Sequence, residues 1–319
     1  MAKRWKVLVS APYMLTCVDR FLPWFEEHDI EPVLASVEER LEESDLFEVI
    51  GDIDGAVCGD DRFTATVLDR APKLKVISKW GTGIDSIDSE AAERIGILVY
   101  RTPGAFTNPV ADSVLGYVLS FARGIPWATE DLRNGSWFKH PGRALNECIL
   151  GVVGVGDIGT AVSERARSFG MKVLGNDTKP LDTAWCARVQ VQEVSISELL
   201  TQADFVSLNC DLNPTSHHLM GATQFSSMKP SAVVINTARG PIIDEAALIR
   251  ALKRGEIAGA ALDVFEHEPL STESPLRDMD NVLLAAHSAN SSPTAWEKVH
   301  ENTLKNLYEG LRETRRHNA

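Results

Sequence analysis

The motif GVGDIG at residues 154–159 sets three glycines at the spacing G-x-G-x-x-G near the middle of the chain. On its own this spacing marks little more than a turn, but its surroundings make it restrictive. The apolar run ILGVV precedes it as a buried strand, and Ile158, Val162, Arg165 or Ala166, and Phe169 follow at helical spacing. MKVLG then supplies a second strand, and Asp177 stands at its end, 18 residues past Gly159. A strand–turn–helix–strand unit of this kind is suited to a dinucleotide. Gly154 makes the tight turn, Gly156 lets the backbone approach a pyrophosphate, and Gly159 lets helix and strand pack closely. The helix N-terminus turns N–H groups and a partial positive charge toward the phosphates. Asp177 is placed to accept hydrogen bonds from the adenine-ribose hydroxyls. It would repel a 2′-phosphate, so NAD is expected over NADP, with Lys179 as a nearby counterweight. Asp157 brings a negative charge beside the phosphates, and its side chain is expected to point to solvent.

A single such unit does not account for the residues in front of the motif. Short apolar segments at 7–10, 32–36, 55–58, 75–79 and 97–100 alternate there with helical stretches such as SVEERLEESDLFEVI. That alternation implies a parallel sheet covered by helices on both faces. TPGAF interrupts the pattern. NPVADSVLGYVLSFARGI then reads as one long helix with Val110, Val114, Tyr117, Val118 and Phe121 on a shared face. A second strand–helix alternation runs from CILGVVG to NVLLAAH, and SPTAWEKVHENTLKNLYEGLRE reads as a closing helix with a charged face. The fold class expected is α/β with two doubly wound parallel-sheet domains.

Bulk properties narrow the function classes. A chain of 319 residues is long enough for two domains. The formal net charge of −13 opposes nonspecific attachment to nucleic acid or to an anionic membrane, so neither is expected as a partner. No apolar run reaches the roughly 18–20 residues of a membrane span, and the first residues lack a secretory signal's apolar core. The five cysteines, 17, 58, 148, 186 and 210, have no CxxC or Cys/His metal spacing. Reduced thiols in a cytoplasmic protein with no metal are the expectation.

A dinucleotide unit only holds a cofactor, so the chemistry must come from other strand ends. AVVINTARG carries a buried strand into Asn236, Thr237, Ala238 and Arg239, where a guanidinium could fork a carboxylate or make an ordinary surface ion pair. GAALDVFEHEP ends a strand at Asp263 and continues to Glu268, either as part of a site or as a loop of solvated acids. NVLLAAHSANSS delivers His287 into small residues, where a lone histidine is more often structural. Together they match the needs of hydride transfer between NAD and a 2-hydroxy acid. That reaction requires a proton acceptor for the hydroxyl, a cation for the carboxylate and a group that sets the acceptor's proton affinity. A carboxylate beside an imidazole favours its protonated form.

At these residues the sequence closely resembles the D-isomer-specific 2-hydroxyacid dehydrogenases, over nearly the whole chain. KWGTGIDSID is similar to that family's substrate loop, TPGAFTNPVADSVLGYVL to its interdomain helix and GVVGVGDIG to its cofactor loop. SLNCDLNPTSHHLM resembles the stretch bordering the adenine side. MKPSAVVINTARGPIIDEAAL and AGAALDVFEHEPL resemble its two signature strands. The resemblance implies a flavodoxin-like substrate domain from 1–102 plus 288–319, with a Rossmann NAD-binding domain inserted at 103–287 and the active site in the cleft between them. It implies His287 as general acid/base, Glu268 as its partner and Arg239 as substrate clamp. It further implies Asp263 on the nicotinamide carboxamide, and backbone N–H groups of Trp80, Gly81 and Thr82 on the substrate carboxylate. Gly154, Gly156, Asp157, Ile158, Gly159, Asp177, Asn209, Cys210, Asp211, Thr107, Thr237, Ala238, Arg239, Asp263 and His287 form the cofactor set. The implied substrate is a small D-2-hydroxy acid or 2-keto acid resembling glycerate, phosphoglycerate or hydroxypyruvate.

Several features depart from the family pattern. Ser288-Ala289-Asn290 after the histidine makes the pocket edge more polar, and Trp80 narrows the substrate loop. Lys79 reads either as a positive charge for substrate or as a solvated lysine at a strand end. The chain ends soon after the closing helix, so the regulatory domain of longer phosphoglycerate dehydrogenases, and serine feedback with it, is not expected. Family members pair through the nucleotide domain, and Trp137-Phe138 would either bury such a homodimer contact or pack in a local core. Two other readings share the same motifs: a non-enzymatic, NAD-sensing, corepressor-like protein, and an enzyme oxidising an inorganic substrate such as phosphite.

Overall fold

The computed structural model describes residues 4–317, with side chains described from 4 to 314. It contains two compact units, one reaching to Phe106 and resuming at Ser292, the other spanning Thr107–Ser291.

The first unit is a five-stranded, all-parallel sheet in the order β2-β1-β3-β4-β5. Its strands are β1 Trp5–Val9, β2 Ile30–Leu34, β3 Gly55–Cys58, β4 Val76–Lys79 and β5 Leu98–Tyr100. This is the flavodoxin-like strand order, with its switch point between β1 and β3. The strands form because they are short apolar runs rich in β-branched residues, and β3 and β4 are buried throughout. The helix Pro293–His317 lies against β3, β4 and β5. Small residues allow the close approach, since a Cβ on Gly310 would come 2.6 Å from Val76 Cγ2. The Ser78 hydroxyl, buried in β4, donates to the carbonyl of Thr303 at 2.8 Å.

The stretch SVEERLEESDLFEVI is less helical than its composition implies. The helix begins only at Glu43 and ends at Val49. Upstream, the backbone is tied elsewhere: Leu41 N–H donates to the Asp61 carboxylate at 2.6 Å, and Leu41 C=O accepts from Arg62 N–H. A buried carboxylate with a backbone donor outweighs the modest propensity of a few glutamates.

The second unit is a seven-stranded parallel sheet in the order β12-β11-β10-β9-β6-β7-β8. Its strands are β6 Ile149–Val153, β7 Lys172–Asn176, β8 Val191–Glu193, β9 Phe205–Leu208, β10 Val233–Asn236, β11 Gly259–Leu262 and β12 Val282–Leu284. Numbered within the unit, the central order is the Rossmann one, and the chain reverses direction across the sheet between β6 and β9. The long helix Thr107–Arg123 buries Val110, Val114 and Val118, with Tyr117 and Phe121 packed at the margin of the same cluster. It stops at Gly124, whose φ of +63° no longer fits a helix. Its main partner is the helix Asp157–Ser168. All five cysteines are free, and no helix among the described residues is long and apolar enough to cross a membrane.

Candidate active site

The glycine turn sits where β6 leaves the sheet. Gly154 has a φ of +85°, and a Cβ there would stand 2.6 Å from the amide nitrogen of Cys210. A Cβ on Gly159 would overlap the Gly154 carbonyl, so the turn and the helix close on each other without a side chain between them. Gly156 faces open space, which leaves its backbone accessible to a bulky anion. The helix Asp157–Ser168 starts here, with Ile158 half-buried and the Asp157 side chain exposed. At the end of β7, Asp177 accepts Val155 N–H at 2.7 Å and Lys179 N–H at 3.1 Å. Burial pushes its carboxyl upward, but these N–H donors and those of Thr178 outweigh burial and hold it below the usual aspartate value. These residues fit a dinucleotide: an open backbone for phosphates at a helix start, and an ionised carboxylate for a ribose.

The neighbouring strand end brings Asn209 and Cys210, half-buried, and Asp211, exposed, to the other side of the turn. Asn209 N–H continues the sheet by donating to Val153 C=O at 2.7 Å. At the end of β10 the chain makes a tight turn. The side chain of Asn236 accepts from Ala238 N–H at 3.1 Å and donates to the carbonyl of Arg239 at 2.9 Å. This buried amide shapes the loop that carries Thr237, Ala238 and Arg239. The Arg239 guanidinium is half-buried and donates one hydrogen bond to Ala238 C=O at 2.8 Å. Gly240 has no room for a side chain, because a Cβ would overlap the carbonyl of Phe265.

That contact joins the segments after β10 and β11. Asp263, buried after β11, accepts from Ser288 N–H at 2.9 Å and from Ala289 N–H at 2.9 Å, and its own carbonyl accepts from His287 N–H at 2.8 Å. Asp263 therefore anchors the segment that presents His287. Glu268 precedes a cis peptide bond to Pro269, and one of its oxygens accepts Phe265 N–H at 2.9 Å. The other lies 2.9 Å from His287 Nδ1. His287 has a φ of +49°, an uncommon left-handed conformation for a residue with a side chain. The structure thus brings His287 and Glu268 into direct contact. It gives Asp263 a supporting task beside the cofactor task that the resemblance implies.

Within the first unit, Lys79 ends β4, and Trp80, Gly81 and Thr82 follow it at the carboxyl end of the sheet. Lys79 is not a solvated lysine: its side chain is 4 % exposed and its Nζ lies 2.8 Å from Asp60 Oδ1. Trp80 N–H does not reach outward, because it extends the sheet by donating to Cys58 C=O at 2.9 Å. The implied use of Trp80 N–H as an outward donor is thereby corrected, while the N–H groups of Gly81 and Thr82 have no acceptor among the described residues. Thr107 is the first residue of the long helix and of the second unit.

Residues 115–289 match the model of the D-isomer-specific 2-hydroxyacid dehydrogenase NAD-binding domain. The chain belongs to this family. It is an NAD-dependent dehydrogenase of 2-hydroxy acids, with the two-sheet α/β fold of that family. A D-3-phosphoglycerate dehydrogenase of Methanocaldococcus jannaschii is 41 % identical over 80 % of this chain, which spans only 49 % of that relative. A glyoxylate reductase of Thermofilum pendens is 39 % identical over 82 % of this chain and 80 % of its own length. The D-lactate dehydrogenase of Aquifex aeolicus, solved with NAD and lactic acid, superposes with a TM-score of 0.83 at 27 % identity, covering 94 % of this chain and 93 % of that one.

Two supporting residues of the dehydrogenase escaped sequence reasoning. Asn236 gave a signal, a polar residue closing an apolar strand, but its bonds to Ala238 and Arg239 are visible only in the folded turn. Gly240 reads in sequence as the end of an ARG tripeptide. Its need for close approach comes from Phe265, 25 residues away.

Proposed function

We propose that this dehydrogenase interconverts a small 2-keto acid of the glyoxylate or hydroxypyruvate class and its D-2-hydroxy acid, with His287 as acid/base, Glu268 as its partner and Arg239 as the carboxylate clamp. The observation that carries the reading is the 2.9 Å contact between His287 Nδ1 and Glu268. With Nδ1 held by the carboxylate, proton exchange with substrate would run through Nε2. Gly154, Gly156 and Asp177 would hold the cofactor, with Thr107, Asn209, Thr237 and Asp263 completing its surroundings. When bound, NADH supplies the hydride that reaches the substrate's C2. His287 delivers a proton from Nε2 to the carbonyl oxygen, and Glu268 stabilises the charged imidazole before that transfer. Oxidation of the hydroxy acid runs the proton back to His287. Arg239 would fork the substrate carboxylate, and the resemblance assigns the N–H groups of Gly81 and Thr82 to the substrate loop. The class of substrate is supported by the glyoxylate reductase relative, which this chain matches over most of its length.

A homodimer through the NAD-binding unit belongs to the same reading. Trp137 is 90 % exposed and Phe138 58 %, so neither packs in a local core, and Leu132 and Ile125 are exposed nearby in sequence. Light scattering at micromolar concentration is expected to give twice the chain mass, and a monomer would reject the dimer. The five free cysteines support a reducing, cytoplasmic setting. The test of the reaction is NADH oxidation with a panel of 2-keto acids, read as kcat/KM. Glyoxylate or hydroxypyruvate is expected to lead the panel, and turnover of none of its members would overturn the assignment.

A further inference from the structure

Trp80 is the residue before the two N–H donors just described, and its side chain is unusually constrained. The indole is only 5 % exposed. Its Nε1–H donates to His300 Nδ1 at 2.9 Å, across 220 residues of sequence. An indole N–H is a donor only, so His300 Nδ1 must accept, and the imidazole carries its proton on Nε2. That nitrogen stands 3.7 Å from the Cys17 sulfur. His300 is itself 3 % exposed, and burial draws its pKa below the ordinary histidine value.

The rest of the indole is walled in by aromatic rings. Tyr13, from the segment after β1, stacks on it at 5.0 Å and 29°. Phe106 lies at 5.7 Å and Trp296 at 6.3 Å, and Tyr13 and Trp296 touch each other at 4.8 Å. Rings this close leave no space for a ligand between them, so the cluster is a filled wall rather than a cage. It borders the backbone donors directly, since a Cβ on Gly81 would sit 3.8 Å from the Phe106 ring. The cluster also occupies the carboxyl end of the first unit's sheet, the edge where such sheets receive ligands.

We propose that His300 is a positioning residue that locks Trp80 into a rigid aromatic wall beside the substrate-carboxylate donors, and that this wall restricts the enzyme to 2-keto acids with small side chains. The proposal rests on the reading of the Trp80–Thr82 loop as substrate-binding. An apolar wall without adjustable rotamers excludes a bulky side chain by overlap. Loss of the His300 acceptor would leave the indole N–H unpaired and favour a different rotamer.

The test compares phenylpyruvate with glyoxylate as alternative substrates of the full-length enzyme. Trp80→Ala is expected to raise the phenylpyruvate-to-glyoxylate ratio of kcat/KM about 10-fold or more. His300→Leu should shift the ratio in the same direction, mainly through a lower KM for phenylpyruvate. His300→Gln, which restores an acceptor, should keep the ratio within about 3-fold of the wild type. Should His300→Leu fail to fold, Trp80→Phe removes the same hydrogen bond from the other side and must shift the ratio as well. An unchanged ratio in Trp80→Ala, or a His300→Gln shift as large as that of the variants lacking the bond, would overturn the proposal. Wild-type turnover of none of the panel would instead sink the substrate reading on which it rests.

Discussion

The two sheets hold the polar groups at their carboxyl ends by different means. In the second unit the fixing contacts lie within a turn or join neighbouring strand ends. Asn236 shapes the turn that carries Arg239, and Asp263 anchors the backbone just after His287. For Arg239 the same oligopeptide supplies the strand, the turn and the side chain, whereas His287 is anchored from the strand end before its own. In the first unit two of the three fixing pairs reach farther along the chain. Trp80 depends on His300 in the last helix, Lys79 on Asp60, and Ser10 on Asp61 through a 2.5 Å hydrogen bond. A side chain held by a pair distant in the chain, as Trp80 is by His300, is adjustable by substitution far from it in sequence.

That contrast can be broken by substitution, and the largest effect is expected where two strand ends of the second unit meet. Gly240→Ala would drive a methyl group into the Phe265 carbonyl, and overpacking against backbone costs about 1–3 kcal/mol or more. Its melting temperature should fall by several degrees, with NADH oxidation falling in parallel because the Arg239 and Glu268 loops shift together. A melting temperature equal to wild type would show that the loops are not so tightly joined. Next in size is Arg239→Lys, which replaces a fork by a point charge. Losing one charge-assisted hydrogen bond corresponds to roughly 10–100-fold in kcat/KM for the keto acid, with melting unchanged. Unchanged kinetics would remove Arg239 from the site.

Smaller effects sharpen the comparison. Asp177→Ala should relax the NADH-over-NADPH preference by about 10-fold, the size of one hydrogen bond to a charged group. A wild type that already favours NADPH would contradict the role given to this carboxylate. The smallest effect concerns His300, whose folded-state pKa is lowered by burial, with Glu297 opposing and Arg20 reinforcing that shift; Cys17 and Trp80 are its uncharged neighbours. A lowered folded-state pKa means the unfolded chain binds the proton more readily. The linked stability is full above the unfolded value of about 6.5 and is lost as pH falls toward and through the folded value. Wild type should therefore lose more melting temperature than His300→Gln between pH 7 and pH 5. Equal losses would show that His300 is not the responsible group.

These differences also explain what the sequence made legible. Both sheets, the glycine turn and the approximate reach of most strands were readable because each rests on a short apolar run followed by a turn residue. Gly55–Cys58 was read to the residue. The region before Glu43 was not, because its backbone is captured by Asp61, which no local pattern reveals. In the candidate site, Arg239, Asp263 and His287 stood out as polar residues after apolar strands, with Glu268 following Asp263 in the next loop. The outward use of Trp80 N–H was misjudged because β4 extends its pairing to Cys58. Lys79 looked solvated because its partner Asp60 belongs to another strand end. Periodicity reports which face a residue occupies, but not which distant group has already claimed its hydrogen bonds.

The central claim is that His287, held by Glu268, moves the proton. The direct measurement is single-turnover and steady-state reduction of glyoxylate by His287→Ala, with NADH binding followed by fluorescence on the same preparation. NADH affinity should stay close to wild type while turnover drops by about 10²-fold or more. Turnover within a few-fold of wild type, at intact NADH binding, would contradict the account.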